Sequence, residues 1–183
     1  MKKYIILTAT LLLLSVSALA MDTTFMLKGN YFGPTEKEFK EIYGGGLMYG
    51  GEVNVGIMKN IVVWAGGNYF TKRGELTFTQ ETTTLSLLPL GVGVKFRVKA
   101  GALHLYAGGG IRHYNFKESN EPMGVAKKGR IGYMGTIGGI IRVARKWVID
   151  LYVNYSYCRM TPAFFTVNIG GIEAGIGFGY EFR

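Results

Sequence analysis

An unbroken alternation of side chains runs through the last part of the chain, from Ile172 to Phe182. One face is aliphatic and aromatic and ends on Phe178, Tyr180 and Phe182, whereas the other carries glycines and carboxylates such as Glu173. A period of two residues predicts an extended strand with one apolar face. Because the opposite face is small or charged, the pattern is typical of a strand that meets lipid outside and a crowded polar lumen inside.

Seven further segments alternate in the same way, which predicts an all-β fold. Together they predict an eight-stranded antiparallel up-and-down transmembrane β-barrel preceded by a cleaved signal peptide. The predicted strands span residues 24–32, 47–58, 61–72, 84–98, 102–116, 131–143, 147–157 and 167–182. Short turns are predicted at 58–60, 99–101 and 144–146, and long loops at 33–46, 73–83, 117–130 and 158–166. This alternation of lengths indicates an outer-membrane barrel with periplasmic turns.

The outward aromatic residues of the predicted barrel fall into two bands separated by aliphatic positions. The band near the short turns contains Phe25, Phe96, Trp147, Tyr180 and Phe182. The band near the long loops contains Tyr31, Tyr49, Tyr69, Tyr133, Tyr155 and Tyr157. Aromatic rings favour the two membrane interfaces, so the bands indicate a membrane barrel rather than a soluble one.

The first twenty residues are predicted to be a secretory signal peptide. Lys2 and Lys3 precede an apolar run at 4–17, and the small residues Ala18, Leu19 and Ala20 follow it as a cleavage site. The alternative, an uncleaved anchor helix, would need a run of roughly 20 apolar residues, which is longer than this one. The expected organisation is a signal peptide at 1–20 and one outer-membrane barrel domain at 21–183.

Charge and composition restrict the expected partners. The net charge of +9 can indicate nucleic acid, but in a secreted chain it favours outer-membrane lipids and lipopolysaccharide as partners, with no nucleic acid. Cys158 is the only cysteine, so no internal disulfide is expected. No metal-ligand spacing or nucleotide-binding motif occurs in a suitable context, and we expect no cofactor and a monomeric protein.

Four segments carry a resemblance to a known family. They are LSLLPLGVGVKFRV at 85–98, LHLYAGGGIRHY at 103–114, VIDLYVNYSY at 148–157 and GIEAGIGFGYEF at 171–182. They resemble the small eight-stranded outer-membrane β-barrel proteins of the OmpA/OmpX/OmpW-like group. The resemblance implies a bacterial outer membrane location and a terminal signal for the barrel-assembly machinery. That signal falls on Phe178, Tyr180 and Phe182, although Arg183 follows the final aromatic residue.

The predicted lumen combines large rings with paired charges. An eight-stranded barrel has room for side chains or one small ligand. The lumen aromatic residues are predicted to be Trp64, Phe70, Tyr106, Tyr114 and Tyr152, packed above inward glycines. Lys28, Glu52 and Glu173 lie on strands that become neighbours when the barrel closes, and a buried charge is costly unless it is paired. They are predicted to form a lumen charge network that stiffens the seam, with a polar gate or proton path as the alternative.

The sequence favours a structural or surface-interaction role without enzymatic activity. The resemblance to OmpW-like proteins implies an alternative, a narrow channel for small hydrophobic molecules. A second alternative is a barrel enzyme that modifies lipid A. His104 is predicted to face inward near the periplasmic end and His113 outward near the loops, too far apart to cooperate in catalysis. The mixed charges of the loops at 33–46 and 117–130 indicate solvated surface, a lipopolysaccharide contact or a host contact.

Overall fold

The computed structural model describes residues 22–75, 82–120, 124–161 and 167–182. The predicted signal peptide and Arg183 lie outside the described residues. The elements are β1 (Asp22–Pro34), α1 (Lys37–Tyr43), β2 (Gly46–Met58), β3 (Ile61–Glu75), β4 (Thr82–Ala100), β5 (Leu103–Asn120), β6 (Gly124–Arg142), β7 (Trp147–Tyr157), β8 (Arg159–Met160), β9 (Val167–Asn168) and β10 (Gly171–Phe182). In the described part of the chain, no helix is long and apolar enough to cross a bilayer.

Eight of the strands form one closed antiparallel barrel, which confirms the predicted fold class. Strands β1 to β7 each pair with their neighbours in sequence, and β10 pairs with both β7 and β1 to close the circle. The seam between β1 and β10 is continuous from Thr23 opposite Phe182 to Pro34 opposite Gly171. Strands β8 and β9 form a separate two-stranded ladder at the loop end. Closure leaves the barrel strands without free edges, so their backbone groups are paired within the wall.

The two faces of the barrel strands have the predicted orientation over most of their length. In β7, the side chains of Asp150, Tyr152 and Asn154 are buried inside the barrel, whereas those of Leu151 and Val153 are exposed on the outside. The same alternation runs along β1 and β10. The exposed outer surface is therefore a continuous apolar wall, far larger than the patches that a soluble monomer leaves in water. Such a wall fits the hydrocarbon core of a membrane.

The aromatic bands lie on this outer wall. Near the short turns, Trp147 stacks on Phe178 with ring centroids 4.9 Å apart. Tyr180 contacts Phe182, whose ring in turn meets Phe25. Near the loop end, Tyr133 is 68% exposed on the outer surface. The rings thus mark two levels at which the wall meets a membrane interface.

The prediction of a long loop at 117–130 is wrong, because most of these residues belong to a β-hairpin. Strand β5 continues to Asn120 and β6 begins at Gly124, with Lys117 paired with Lys127. Residues 124–131 of β6 are exposed on both faces, so there is no apolar face to produce alternation. Backbone pairing persists there independently of the side chains. The predicted loop at 73–83 is similarly shortened, since β3 extends to Glu75 and β4 begins at Thr82.

Two other predicted segments have different structures. The loop at 33–46 contains the short helix α1, whose Phe39 and Tyr43 are buried. The predicted strand 167–182 is divided, because β9 pairs with β8 and the barrel strand begins only at Gly171. Between them, Ile169 is completely buried among apolar side chains of the lumen mouth. Burial of Ile169 therefore favours an inward turn of the chain over a straight continuation of the strand.

Candidate functional site

The lower charge cluster lies inside the half of the barrel nearer the short turns and consists of Lys28, Glu52, Lys95 and Asp150. Lys28 Nζ donates to Glu52 Oε2 at 2.9 Å and lies 3.4 Å from Asp150 Oδ2. Lys95 forms a second ion pair with Glu52. All four side chains are buried. Two cations and two anions make the cluster formally neutral, which is the condition under which buried charges are tolerated.

Polar and aromatic neighbours complete the lower charge cluster. The hydroxyl of Tyr106 donates to Asp150 Oδ1 at 2.9 Å, and Asn54 Nδ2 donates to Glu52 Oε1 at 2.9 Å. Lys28 Nζ lies 4.1 Å from the centroid of the Tyr152 ring, within the range of a cation–π interaction. Each charged group therefore has more than one favourable neighbour, which holds its side chain in place.

The upper charge cluster lies closer to the loops and is centred on Glu173. Arg112 forms a two-point ion pair with Glu173, and its Nη2 lies 3.3 Å from Glu173 Oε2. Asn154 Nδ2 donates to the same carboxylate oxygen at 2.9 Å, and Asn68 Nδ2 lies at 3.5 Å. Glu173 has no solvent exposure. Planar two-point pairing suits the guanidinium group, so the cluster is both paired and oriented.

The structure brings Lys28 and Glu52 together but places Glu173 in the other cluster. In the β1–β10 register, Lys28 lies opposite Gly177, and Glu173 lies opposite Phe32, four residues further along the strand. Four residues of strand are about 13 Å, too far for a direct ion pair. The alternation of side chains marks Lys95, Arg112 and Asp150 as inward-facing residues. Their partners depend on register and on side-chain reach, which alternation does not provide.

A cavity of about 10 Å³ separates the two charge clusters and is lined by residues from both, including Lys28, Glu52 and Arg112. This volume holds about one water molecule. Side chains occupy the surrounding space, and the largest of them is Trp64. The middle of the lumen is therefore packed with polar and aromatic groups.

Glycines on the inner wall make room for the lumen aromatic residues. A Cβ atom at Gly93 would lie 2.7 Å from Nε1 of Trp64, and one at Gly110 would lie 2.7 Å from its Cζ2. A Cβ atom at Gly138 would similarly lie 2.5 Å from the hydroxyl of Tyr106. All five aromatic residues predicted for the lumen are buried: Trp64, Phe70, Tyr106, Tyr114 and Tyr152.

An apolar plug fills the lumen mouth at the loop end. It consists of Phe32, Phe39, Tyr43, Met48, Phe70, Leu85, Leu87, Tyr114, Phe116, Cys158, Met160 and Ile169. Barrel strands supply the wall of the plug, whereas α1 supplies Phe39 and Tyr43 as its lid. Phe32 and Phe70 pack edge to face with centroids 5.3 Å apart. The lumen thus changes from charged to apolar along its axis.

Polar contacts fix the lid over the plug. The hydroxyl of Tyr43 donates to Glu118 on β5, and burial together with this carboxylate raises the pKa of Tyr43. The backbone amide of Asn168 donates to Glu36 Oε2 at 3.2 Å, and the Asn168 side chain donates to Thr35 Oγ1 at 3.1 Å. These bonds join the loop that carries α1 to both β5 and β9.

Two ion pairs lie near the short-turn end of the lumen. Arg97 Nη2 is 2.8 Å from Asp22 Oδ2, and Arg142 Nη2 is 2.9 Å from Glu181 Oε1. They join β4 to β1 and β6 to β10, strands that are not neighbours in the wall. These pairs are more exposed than the two inner clusters and contribute less stability.

The two histidines lie at distant places on β5. His104 is buried near the short-turn end, and His113 is on the outer face near the loops. Nine residues of strand separate them by about 30 Å, so they cannot form a joint catalytic pair. Among the described residues, no cluster of three or more His, Cys, Asp and Glu side chains is arranged to hold a metal ion.

A closed eight-stranded wall with an apolar exterior and a charged interior defines the class of small outer-membrane β-barrels. No protein-family model matches the chain, and no curated protein is significantly similar to it in sequence. Solved structures do resemble it. The outer membrane protein OprG from Pseudomonas aeruginosa has a TM-score of 0.72 and 15% identity over 90% of this chain and 97% of that chain.

Two further structures show the same likeness. Neisserial surface protein A has a TM-score of 0.64 and 11% identity, covering 88% of this chain and 97% of that one. The attachment invasion locus protein Ail of Yersinia pestis, solved with the heparin analogue sucrose octasulfate, has a TM-score of 0.57 and 14% identity, covering 88% and 98%. At these identities the likeness establishes the fold, and it confirms the resemblance to small outer-membrane barrels.

Proposed function

We propose that this protein is a non-enzymatic outer-membrane barrel with a structural or surface-interaction role and a lumen that does not conduct. The observation that carries the proposal is the filled lumen, in which two formally neutral charge clusters lie beneath an apolar plug. A hydrated ion would have to separate buried pairs such as Arg112 and Glu173 to pass. Leaving one such partner unpaired is strongly unfavourable.

The long β5–β6 hairpin supports an interaction role. Its exposed section carries basic residues that include Lys117, Lys127 and Lys128. Ail, a barrel with the same fold, is described in complex with sucrose octasulfate, a polyanionic heparin analogue. We therefore expect the loop end of this chain to contact anionic groups at the cell surface.

Planar-bilayer recording tests the closed lumen directly. Folded protein, identified by its shifted mobility on unheated gels, is inserted into a bilayer and quantified there. We expect no discrete openings from the wild-type protein. Regular single-channel openings that scale with the amount of folded protein would contradict the proposal.

A passage for small hydrophobic molecules is the second candidate function, and the apolar plug is the observation that favours it. A site for an apolar ligand requires apolar walls, which the plug provides at the lumen mouth. Uptake of the apolar fluorophore N-phenylnaphthylamine by cells that express the protein tests this candidate. Faster uptake than in cells with an empty vector, abolished by Phe39→Asp, would favour passage. Equal uptake supports the closed barrel.

A further inference from the structure

One row of outward side chains crosses four strands near the loop end. Thr71 on β3 pairs with Ser86 on β4, Ser86 pairs with Lys117 on β5, and Lys117 pairs with Lys127 on β6. Lys117 and Lys127 are exposed. Two lysines thus lie directly opposite each other on the outer face of an antiparallel pair.

Like charges in directly opposite positions destabilise an antiparallel pair unless an anion lies between them. The next outward row towards the loop tips contains a further cation, Arg73, which is paired with Thr84. The next outward row towards the membrane runs from Tyr69 to Gly129. None of these three outward rows contains an Asp or a Glu. The adjacent carboxylate of Glu118 is on the opposite face and is bonded to Tyr43. This outward surface is therefore cationic without a counter-charge in its own rows.

A groove of about 480 Å³ lies at the lysine row. Leu88 and Tyr69 give it an apolar side, and Ser86 and Asn115 add polar groups beside the lysines. Gly129 contributes no side chain, and a Cβ atom there would lie 2.9 Å from Nε2 of His113, whose ring covers this position between β5 and β6. An apolar surface that ends at two cations matches a lipid whose acyl chain meets an anionic head group.

The position of the groove along the barrel axis also matches an anionic lipid. Tyr69 belongs to the tyrosine band near the loops, which marks the outer membrane interface. The lysine row is the next outward row above Tyr69, so its ammonium groups reach the level of lipid head groups. Because the groove faces away from the lumen, a lipid of the surrounding leaflet can enter it from the side.

We propose that this groove is a binding site for an anionic, phosphate-bearing glycolipid of the outer leaflet. Its phosphate lies between Lys117 and Lys127, where charge-assisted hydrogen bonds from two ammonium groups converge. An acyl chain follows Leu88 and Tyr69 towards the hydrocarbon core. The site lies outside the lumen, so this proposal does not depend on whether the barrel conducts.

Native mass spectrometry of the detergent-solubilised barrel tests the site with diphosphoryl lipid A as the probe. The Lys117→Gln/Lys127→Gln variant is compared with Lys37→Gln/Lys40→Gln, which removes the same charge from exposed positions of α1 at the same end. We expect the groove variant to bind lipid A about tenfold more weakly, since each lysine contributes to head-group attraction. The α1 control should stay within about twofold of the wild type.

Three outcomes would overturn the proposal. The first is equal weakening by both double variants, which would indicate general charge attraction. The second is unchanged binding of lipid A to the groove variant when unheated gels show that it is folded. The third is displacement of lipid A by inorganic phosphate at equal concentration, which would indicate a free-phosphate site. Retention of lipid A against phosphate, with weaker binding after Leu88→Asn, supports a site for the whole lipid.

Discussion

The charge clusters and the apolar plug fill the same lumen by different physical means. In the clusters, Glu52 and Glu173 are stable in the interior only because particular cations reach them. In the plug, side chains such as Phe70 and Leu87 are held by burial and packing, which require no specific partner. The clusters therefore depend on exact register, whereas the plug depends on total volume. Substitutions should separate these two kinds of dependence.

The largest effect is expected for Glu173→Leu in the upper charge cluster. It leaves Arg112 buried without its partner, and we expect the free energy of unfolding to fall by about 4 kcal/mol. Urea unfolding of the detergent-solubilised barrel measures this change. The double variant Arg112→Met/Glu173→Leu should recover most of the loss, and Glu41→Leu on the exposed face of α1 should have little effect. A double variant as unstable as the single one would contradict the pairing argument.

A somewhat smaller effect is expected for Phe70→Ala in the plug. Removal of a fully buried ring creates a cavity and should cost about 3 kcal/mol in the same unfolding measurement. Phe70→Leu should restore much of this stability because it refills part of the volume without a specific partner. If Leu were as damaging as Ala, the plug would share the geometric sensitivity of the clusters.

Lys28→Met should have a more moderate effect than Glu173→Leu. Glu52 keeps Lys95 as a partner, and Asp150 keeps the hydroxyl of Tyr106, so we expect a loss of about 2 kcal/mol. The ion conductance per folded molecule should not change, and this result would distinguish a structural ion pair from a polar gate. Increased conductance of folded Lys28→Met, without a loss of stability, would instead identify a gate.

The smallest effect is expected for Tyr43→Phe in the lid. Loss of the hydrogen bond to Glu118 should cost about 1 kcal/mol near neutral pH. Because the pKa of Tyr43 is raised in the folded protein, its contribution is complete below about pH 10 and declines at higher pH as unfolded tyrosine ionises. The stability difference between wild type and variant should therefore shrink in alkaline solution. A difference that is constant up to pH 11 would contradict this contribution.

Alternation predicted the parts of the fold that the membrane selects. It predicted the eight barrel strands and the limits of β7. It also predicted the outward aromatic bands and the inward aromatic side chains, because lipid and lumen impose opposite polarity on successive residues. It failed in the β5–β6 hairpin, where residues 124–131 of β6 are exposed on both faces and neither face is apolar throughout. It also failed at α1, since seven residues over an apolar mouth are held by tertiary burial rather than by a periodic pattern.

Alternation also placed the lumen charges on the correct face without identifying their partners. Glu173 is paired with Arg112 because the β1–β10 register sets its height and because a long guanidinium side chain reaches it across the lumen. Alternation of side chains along a strand predicts neither the register between strands nor the reach of a side chain across the lumen. The apolar plug was missed as a unit because its members come from α1, from the β9 region and from several barrel strands, and they meet only after closure.

The seam between β1 and β10 has a consequence for the order of events during biogenesis. Thr23 lies opposite Phe182, so the two ends of the described chain must meet before the wall is complete. Neighbouring hairpins can form early from local contacts, but this last ladder carries the full entropic cost of closing the longest loop. Until then, both edge strands have unpaired backbone groups that are prone to aggregation. We therefore expect that a factor which covers these edges would speed the meeting of the first and last strands.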